Sequence, residues 1–237
     1  MTMKNLKTLA AVVALSAGFA GANAALAQTT TPATTDPAPT SCRPTDPCYD
    51  VLPSQSSVTN QSFDGTALSR LDLQVDAALN GVKAASTAVA NSLKLEGREL
   101  DKMEANQSLT HGDVVAELNA TLPSVVGDVD LSATAIGNTV SANVDAIGDI
   151  KVTQVVNRDP TAKINAYLGD IDGNVNIAAT AMANNVSING DFATAKLSQT
   201  SIGTPVIATA SVGIERAAGA VDVAATAIGN SIALKGF

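Results

Sequence analysis

The feature that most constrains this chain is a hexamer that returns at an almost constant interval. Ala133-Thr134-Ala135-Ile136-Gly137-Asn138 recurs as Ala179-Thr180-Ala181-Met182-Ala183-Asn184 and again as Ala225-Thr226-Ala227-Ile228-Gly229-Asn230. A weaker upstream copy is Ser86-Thr87-Ala88-Val89-Ala90-Asn91. The threonines are separated by 47, 46 and 46 residues (134−87, 180−134, 226−180). Four related hexamers at so even a spacing define an internal repeat, and repeats of this length build stacked arrays.

Each unit reads as two elements. The first opens with alternation, as in Val129-Asp130-Leu131-Ser132, Val175-Asn176-Ile177-Ala178 and Val221-Asp222-Val223-Ala224, and runs on through the hexamer. Apolar residues at every second position, many of them β-branched, mark a half-buried strand. Gly-Asn or Ala-Asn then breaks the alternation. Both Gly and Asn tolerate left-handed backbone, so the pair is expected to bend or bulge the strand. The second element opens on Gln107, Gln154 and Gln199, spaced by 47 and 45 residues (154−107, 199−154). Turn signals follow at His111-Gly112, Asp159-Pro160 and Gly203-Thr204-Pro205. Beyond them come Val114–Leu118, Ala162–Ala166 and Val206–Ala210, each a further strand. Two strand–turn–strand elements of about 23 residues each cannot bury their apolar faces alone, whereas stacked copies can. The expected fold is therefore all-β: a β-solenoid, or stacked β-arches, with a period of 46 residues. Thr87, Thr134, Thr180 and Thr226, with Asn91, Asn138, Asn184 and Asn230, are expected to form ladders between layers, as are the three Gln residues.

Residues 68–97 are ambiguous. Leu68, Leu71, Val75 and Leu79 follow helical spacing, while Leu71 to Ala77 alternates as a strand would. Terminal repeats are often atypical, so a helical or irregular cap stays open here beside a strand.

Upstream the composition changes. Lys4 and Lys7, an apolar run from Leu9 to Ala20 and the small residues Ala25-Leu26-Ala27 have the order of a secretory signal peptide, residues 1–27, with the mature chain starting at Gln28. Residues 28–67 hold six of the nine prolines and are rich in Thr and Ser, which predicts a solvated, disordered linker before a β-repeat domain over 68–237. Both cysteines, Cys42 and Cys48, lie in that linker, and in an exported chain a small disulfide loop is the expected state. The destination is extracellular or the cell surface, with the periplasm as the other compartment.

Composition excludes several functions. Without residues 1–27 the formal charge is 12 minus 22, or −10, which gives no footprint for nucleic acid. Trp is absent, and only Phe63, Phe192, Phe237, Tyr49 and Tyr167 supply aromatic rings to the mature chain. The core is therefore expected to be thin and built from small side chains. The single histidine, His111, sits in a turn signal near Asp113 with no nucleophile elbow anywhere, so no catalytic set is formed and none of the residues is assigned to catalysis. Gly169-Asp170-Ile171-Asp172-Gly173-Asn174 has the look of a calcium loop, but Leu168 and Ala179 would fall at its first and twelfth positions, so no metal or other cofactor is assigned.

The Gly137-Asn138 and Gly229-Asn230 bends, the recurring Gln107, Gln154 and Gln199, the element length and the lack of Trp together resemble the curlin-type repeats of bacterial functional amyloid, over about residues 75–235. Here Gln and Gly-Asn fall in alternate elements. The resemblance implies a non-enzymatic structural or adhesive surface protein of biofilms: a fibre subunit, or a holdfast-type anchor component. Its expected partners are further copies of itself or other fibre subunits, and outer-membrane export or anchoring machinery. The alternative is a parallel β-helix that binds or acts on polysaccharide.

Overall fold

A computed structural model describes residues 56–203 and 205–236 of the chain. These residues form strands and no helix. Nine strands follow in order: β1 Ser56–Asp64, β2 Ala67–Gln74, β3 Val82–His111, β4 Val114–Val126, β5 Val129–Val156, β6 Pro160–Asp172, β7 Val175–Ser201, β8 Ile207–Ala217 and β9 Val221–Lys235. Odd strands make one sheet in the order β1-β3-β5-β7-β9, and even strands another in the order β2-β4-β6-β8. All pairing is parallel, each strand lying on the one two places earlier. The chain thus winds in coils, and each coil covers the apolar face of the last.

The register follows the repeat. Thr87 pairs with Thr134, Thr134 with Thr180 and Thr180 with Thr226. Where residues 68–85 left helix and strand open, the structure has strand: β2 pairs with β4 from Ala67↔Val114, and Ala78 bridges Val125. The linker boundary expected at residue 67 also moves, because Ser56–Asp64 pairs with Lys102–His111. Alternating Ser, Val, Thr and Phe suffice for a strand there once β3 offers an edge to pair with. The signal peptide and the Cys42–Cys48 loop lie outside the described residues.

The two elements of a unit are unequal. β5 runs for 28 residues and β6 for 13, and the long strand slips by one residue against β7 between Asn143 and Ala146. In β5 the buried positions are Val129, Leu131, Ala133 and Ala135, then Asn138, Val140, Ala142 and Val144. The parity changes at Gly137-Asn138, as a bulge requires. Neighbouring coils bulge at the same place, so pairing resumes at Asn91↔Asn138 and Asn138↔Asn184. The expected left-handed backbone is absent: among the described residues no non-glycine has positive φ, and Gly137 is not among the glycines that do. Gly137 is instead hemmed in, a Cβ there falling 2.6 Å from Ala183 O and 2.9 Å from Val156 Cγ2.

Past the bulge the chain turns back at an arch. Val140, Ala142 and Val144 pack with Ile147, Ile150 and Val152 in one core cluster, which Leu93, Met103, Val186 and Ile188 extend along the stack. The larger cluster fills the other end of each coil, where Val129–Ala135 meets residues of β4 and β6 such as Leu118, Leu122, Ile164 and Leu168. Both cores are one side chain deep on each side, and that suits the small residues available.

Candidate functional site: the amide ladders and the open ends

Between the two apolar clusters runs a polar seam. Asn138, Gln154 and Asn184 are fully buried, and Asn91 and Gln107 nearly so. Asn91 Nδ2 donates to Asn138 Oδ1 at 2.8 Å, Asn138 to Asn184 at 2.9 Å, and Asn184 to Asn230 at 2.8 Å. The Gln ladder runs the opposite way: Gln199 donates to Gln154, Gln154 to Gln107 (both 2.8 Å), and Gln107 to Gln61 at 2.7 Å. A primary amide offers two donors and two acceptor sites, so one proton remains for a second role. That proton staples the two limbs of the arch. Asn138 Nδ2 donates to Val155 O at 3.0 Å, and Gln107 Nε2 to Thr139 O at 3.0 Å. Each buried amide therefore fixes both the axial register and the cross-section. Gln61 belongs to this ladder and was missed by sequence reasoning, although it stands 46 residues before Gln107.

The threonines are placed differently. Ala133 and Ala135 point into the core, so Thr134 between them faces outward, and Thr87 and Thr226 are exposed. They form a column on the outer face of the sheet, and no hydrogen bond connects them. Other outward columns carry the polar contacts: Asn119 Nδ2 donates to Asp72 at 2.6 Å, Asn165 to Asn119 at 2.8 Å, and Asn189 to Asn143 at 2.7 Å. In a parallel in-register stack like charges would lie ~4.8 Å apart, and amides or opposite charges in the column avoid that repulsion. Glu104 shows the second device. Hydrogen bonds from Lys151, Lys102 and Asn106 hold its carboxyl at about 2, below the ordinary glutamate value of 4.5. The bond from Asn119, followed by that from Arg70, likewise lowers Asp72.

His111 Nδ1 pairs with Asp64 at 2.9 Å at the exposed ends of β3 and β1. Asp170 lies within β6 opposite Arg216 of β8, whose Nε donates to its carboxylate at 2.9 Å. Among the described residues no three His, Cys, Asp or Glu side chains converge on a metal position. An open groove of about 380 Å³ crosses the arches, lined by Leu100, Ile147 and Phe192 with Glu99, Asp101 and Asp191.

The two ends of the stack are a different kind of surface. Columns that are buried inside reappear bare on β9: Val221 is 44% exposed, Val223 47% and Ile232 49%. At the opposite end the core columns finish in Phe63, Ala67, Leu71 and Leu73, which are only partly buried. β9, β8 and the return limb of β7 each have one edge with no strand beside it. Such edges are templates for another chain.

The comparison with known families turns on this same stretch. Residues 53–236 match the profile of HfaD, holdfast attachment protein D, a span that begins three residues before β1 and ends one residue after β9 closes at Lys235. The chain belongs to the holdfast attachment protein D family. No curated protein and no solved structure matches it. The matched region coincides with the strand stack.

Proposed function

We propose that this chain is an exported, non-enzymatic structural protein of the bacterial cell surface that helps hold an adhesive holdfast to the cell. In this reading the strand stack is a rigid cohesive block that joins further copies, or other fibre subunits, through its exposed β edges, as a curlin-like subunit does. Residues 1–27 direct export, and residues 28–55, with the Cys42–Cys48 loop, tether the block to an outer-membrane export or anchoring partner. The observation that carries the reading is the pair of stack ends that, among the described residues, no further strand covers, in a chain of the holdfast attachment protein D family. A stack that ends in bare Val, Ile and Leu columns gains by adding a neighbour, with about 25 cal/mol for every Å² of apolar surface covered.

A second reading takes the groove over the arches as a polysaccharide site, since it offers carboxylates beside Phe192. Deleting the gene and scoring retention separates the two. Structural attachment predicts that deleted cells still make adhesive but shed it, and that a chain lacking Val221–Phe237 fails to restore retention. Full retention by the truncated chain would contradict assembly through that edge. Loss of retention on replacing Phe192 by Ser, with the edge intact, would favour polysaccharide binding.

A further inference from the structure

We propose that the C-terminal end of one copy receives the N-terminal end of a second copy in the register that joins successive coils within the chain. Gln61, Leu68 and Thr87 of the incoming copy would then lie over Gln199, Ile207 and Thr226. This rests on the edge-assembly reading above and specifies its polarity and alignment.

Four observations carry it. The first is phase. One position in the coil is filled by β1 and the return limbs of β3, β5 and β7, a second by β2, β4, β6 and β8, and the third by the outgoing limbs of β3, β5 and β7 and by β9. The described chain is therefore four whole coils with no partial coil left over. Its two ends are the two halves of an internal junction.

The second is the state of the ladders. Gln199 Oε1 is buried without a hydrogen-bond partner, at the point where the next Gln Nε2 would arrive. A Gln61 placed there would donate to it just as Gln107 donates to Gln61. Asn230 accepts from Asn184, and among the described residues its Nδ2 donates to nothing. An incoming Asn91 would accept from it. Ser62 O of the same copy would take its second proton, as Ser108 O takes that of Asn91. Leaving a shielded polar atom unmade is costly, so the end has a specific requirement for an amide in that register.

The third is apolar fit. Val221, Val223 and Ile232 would be covered by Val82, Ala84 and Leu93, the types that already share their columns. The fourth is charge. Asp222 would lie over Lys83, whose own neighbour in the column, Asp130, is 3.9 Å from its Nζ. A stack in the reverse orientation, end to like end, gives antiparallel edges and aligns none of these columns. Inside the chain Lys102 begins the return limb and Glu96 closes the outgoing one, and Ser56 and Lys235 stand at those register positions. The break between copies therefore falls at an arch.

Cysteine pairing tests this on the mature chain from Gln28, with Cys42→Ser and Cys48→Ser. Thr87→Cys is made in one preparation and Thr226→Cys in another. In-register parallel neighbours sit ~4.8 Å apart, inside the Cα separation that a disulfide accepts. Mild oxidation of the mixture should give a cross-linked dimer that neither variant gives alone, and a chain carrying both substitutions should give a covalent ladder. Circular dichroism matching the parent confirms that each variant is folded. Assemblies that form but cross-link Thr87→Cys to Ala224→Cys or Ile228→Cys in preference, or that cross-link Thr226→Cys to itself, would overturn the register and leave edge assembly standing. Chains that stay monomeric at every concentration would overturn both.

Discussion

Replacing Asn138 by leucine removes three hydrogen bonds at the centre of the stack. Asn138 accepts from Asn91 and donates to Asn184 and to Val155 O, and it is itself fully buried. Leucine has similar bulk but leaves one Asn91 proton, Asn184 Oδ1 and part of Val155 O without partners. Each stranded buried group costs about 1–3 kcal/mol. With two amides fully affected that is about 2–6 kcal/mol, and apolar burial of the leucine returns about 2 kcal/mol. The net expectation is a loss of about 3 kcal/mol, taking the cost toward its upper half because both amides lie between apolar cores. Asn230→Leu is the internal control. Asn230 is exposed and only accepts one bond, from Asn184. Its loss should cost about 1 kcal/mol or less. Urea unfolding of the mature chain, held dilute enough to be monomeric and followed by circular dichroism, measures both. Stacked arrays can unfold in parts, so a second probe should give coincident transitions before a free energy is extracted. Equal losses in the two variants, or an Asn138→Leu chain as stable as the parent, would refute the argument that the buried amides fix the coils.

Other consequences can be measured on the same protein. Because Glu104 is held at about 2 in the folded state, its contribution to stability is complete above the ordinary value of 4.5 and is lost as the pH falls toward 2; Glu104→Gln should flatten the acid side of the stability profile between those values. Gly190→Ala places a Cβ 1.7 Å from Val144 O at a φ of +142°, and should lower stability by about 2 kcal/mol in thermal or urea unfolding. The same change at Gly97, the corresponding arch position, meets nothing within 4 Å and should shift stability by less than about 0.5 kcal/mol. Intact-mass analysis of the exported chain should give an N-terminus at Gln28, and a mass two hydrogen atoms lighter than the dithiol form for a Cys42–Cys48 disulfide.

The arrangement of coils was legible in the sequence because parallel in-register stacking forces like residues into one column, and a column is a spacing. Recurrence alone did not tell which way a column faces. Thr134 and Asn138 return with equal regularity, yet one is outward and the other buried; the parity change at Gly137-Asn138 separates them. The unequal split of each unit was hidden for a related reason. The arch position is Gly97 in one coil, Val144 in the next and then Gly190, so no shared residue marks the place where the long strand reverses. The first coil was obscured by its position at the end of the stack. Leu68 points outward there and is 55% exposed, while Leu71 points inward, and the two together imitate helical spacing. Gln61 lay in a stretch whose Pro, Thr and Ser content reads as linker, although its spacing to Gln107 carried the signal.

The most direct test of the account is fibre diffraction from the mature chain, Gln28–Phe237, diluted out of denaturant, with electron microscopy of the same sample. Four coils per copy and a coil spacing of ~4.8 Å predict unbranched filaments with a meridional reflection at that spacing and a rise of about 19 Å per copy. Discrete particles of one chain at every concentration, with the β-rich spectrum intact, would contradict a protein that builds by its open ends.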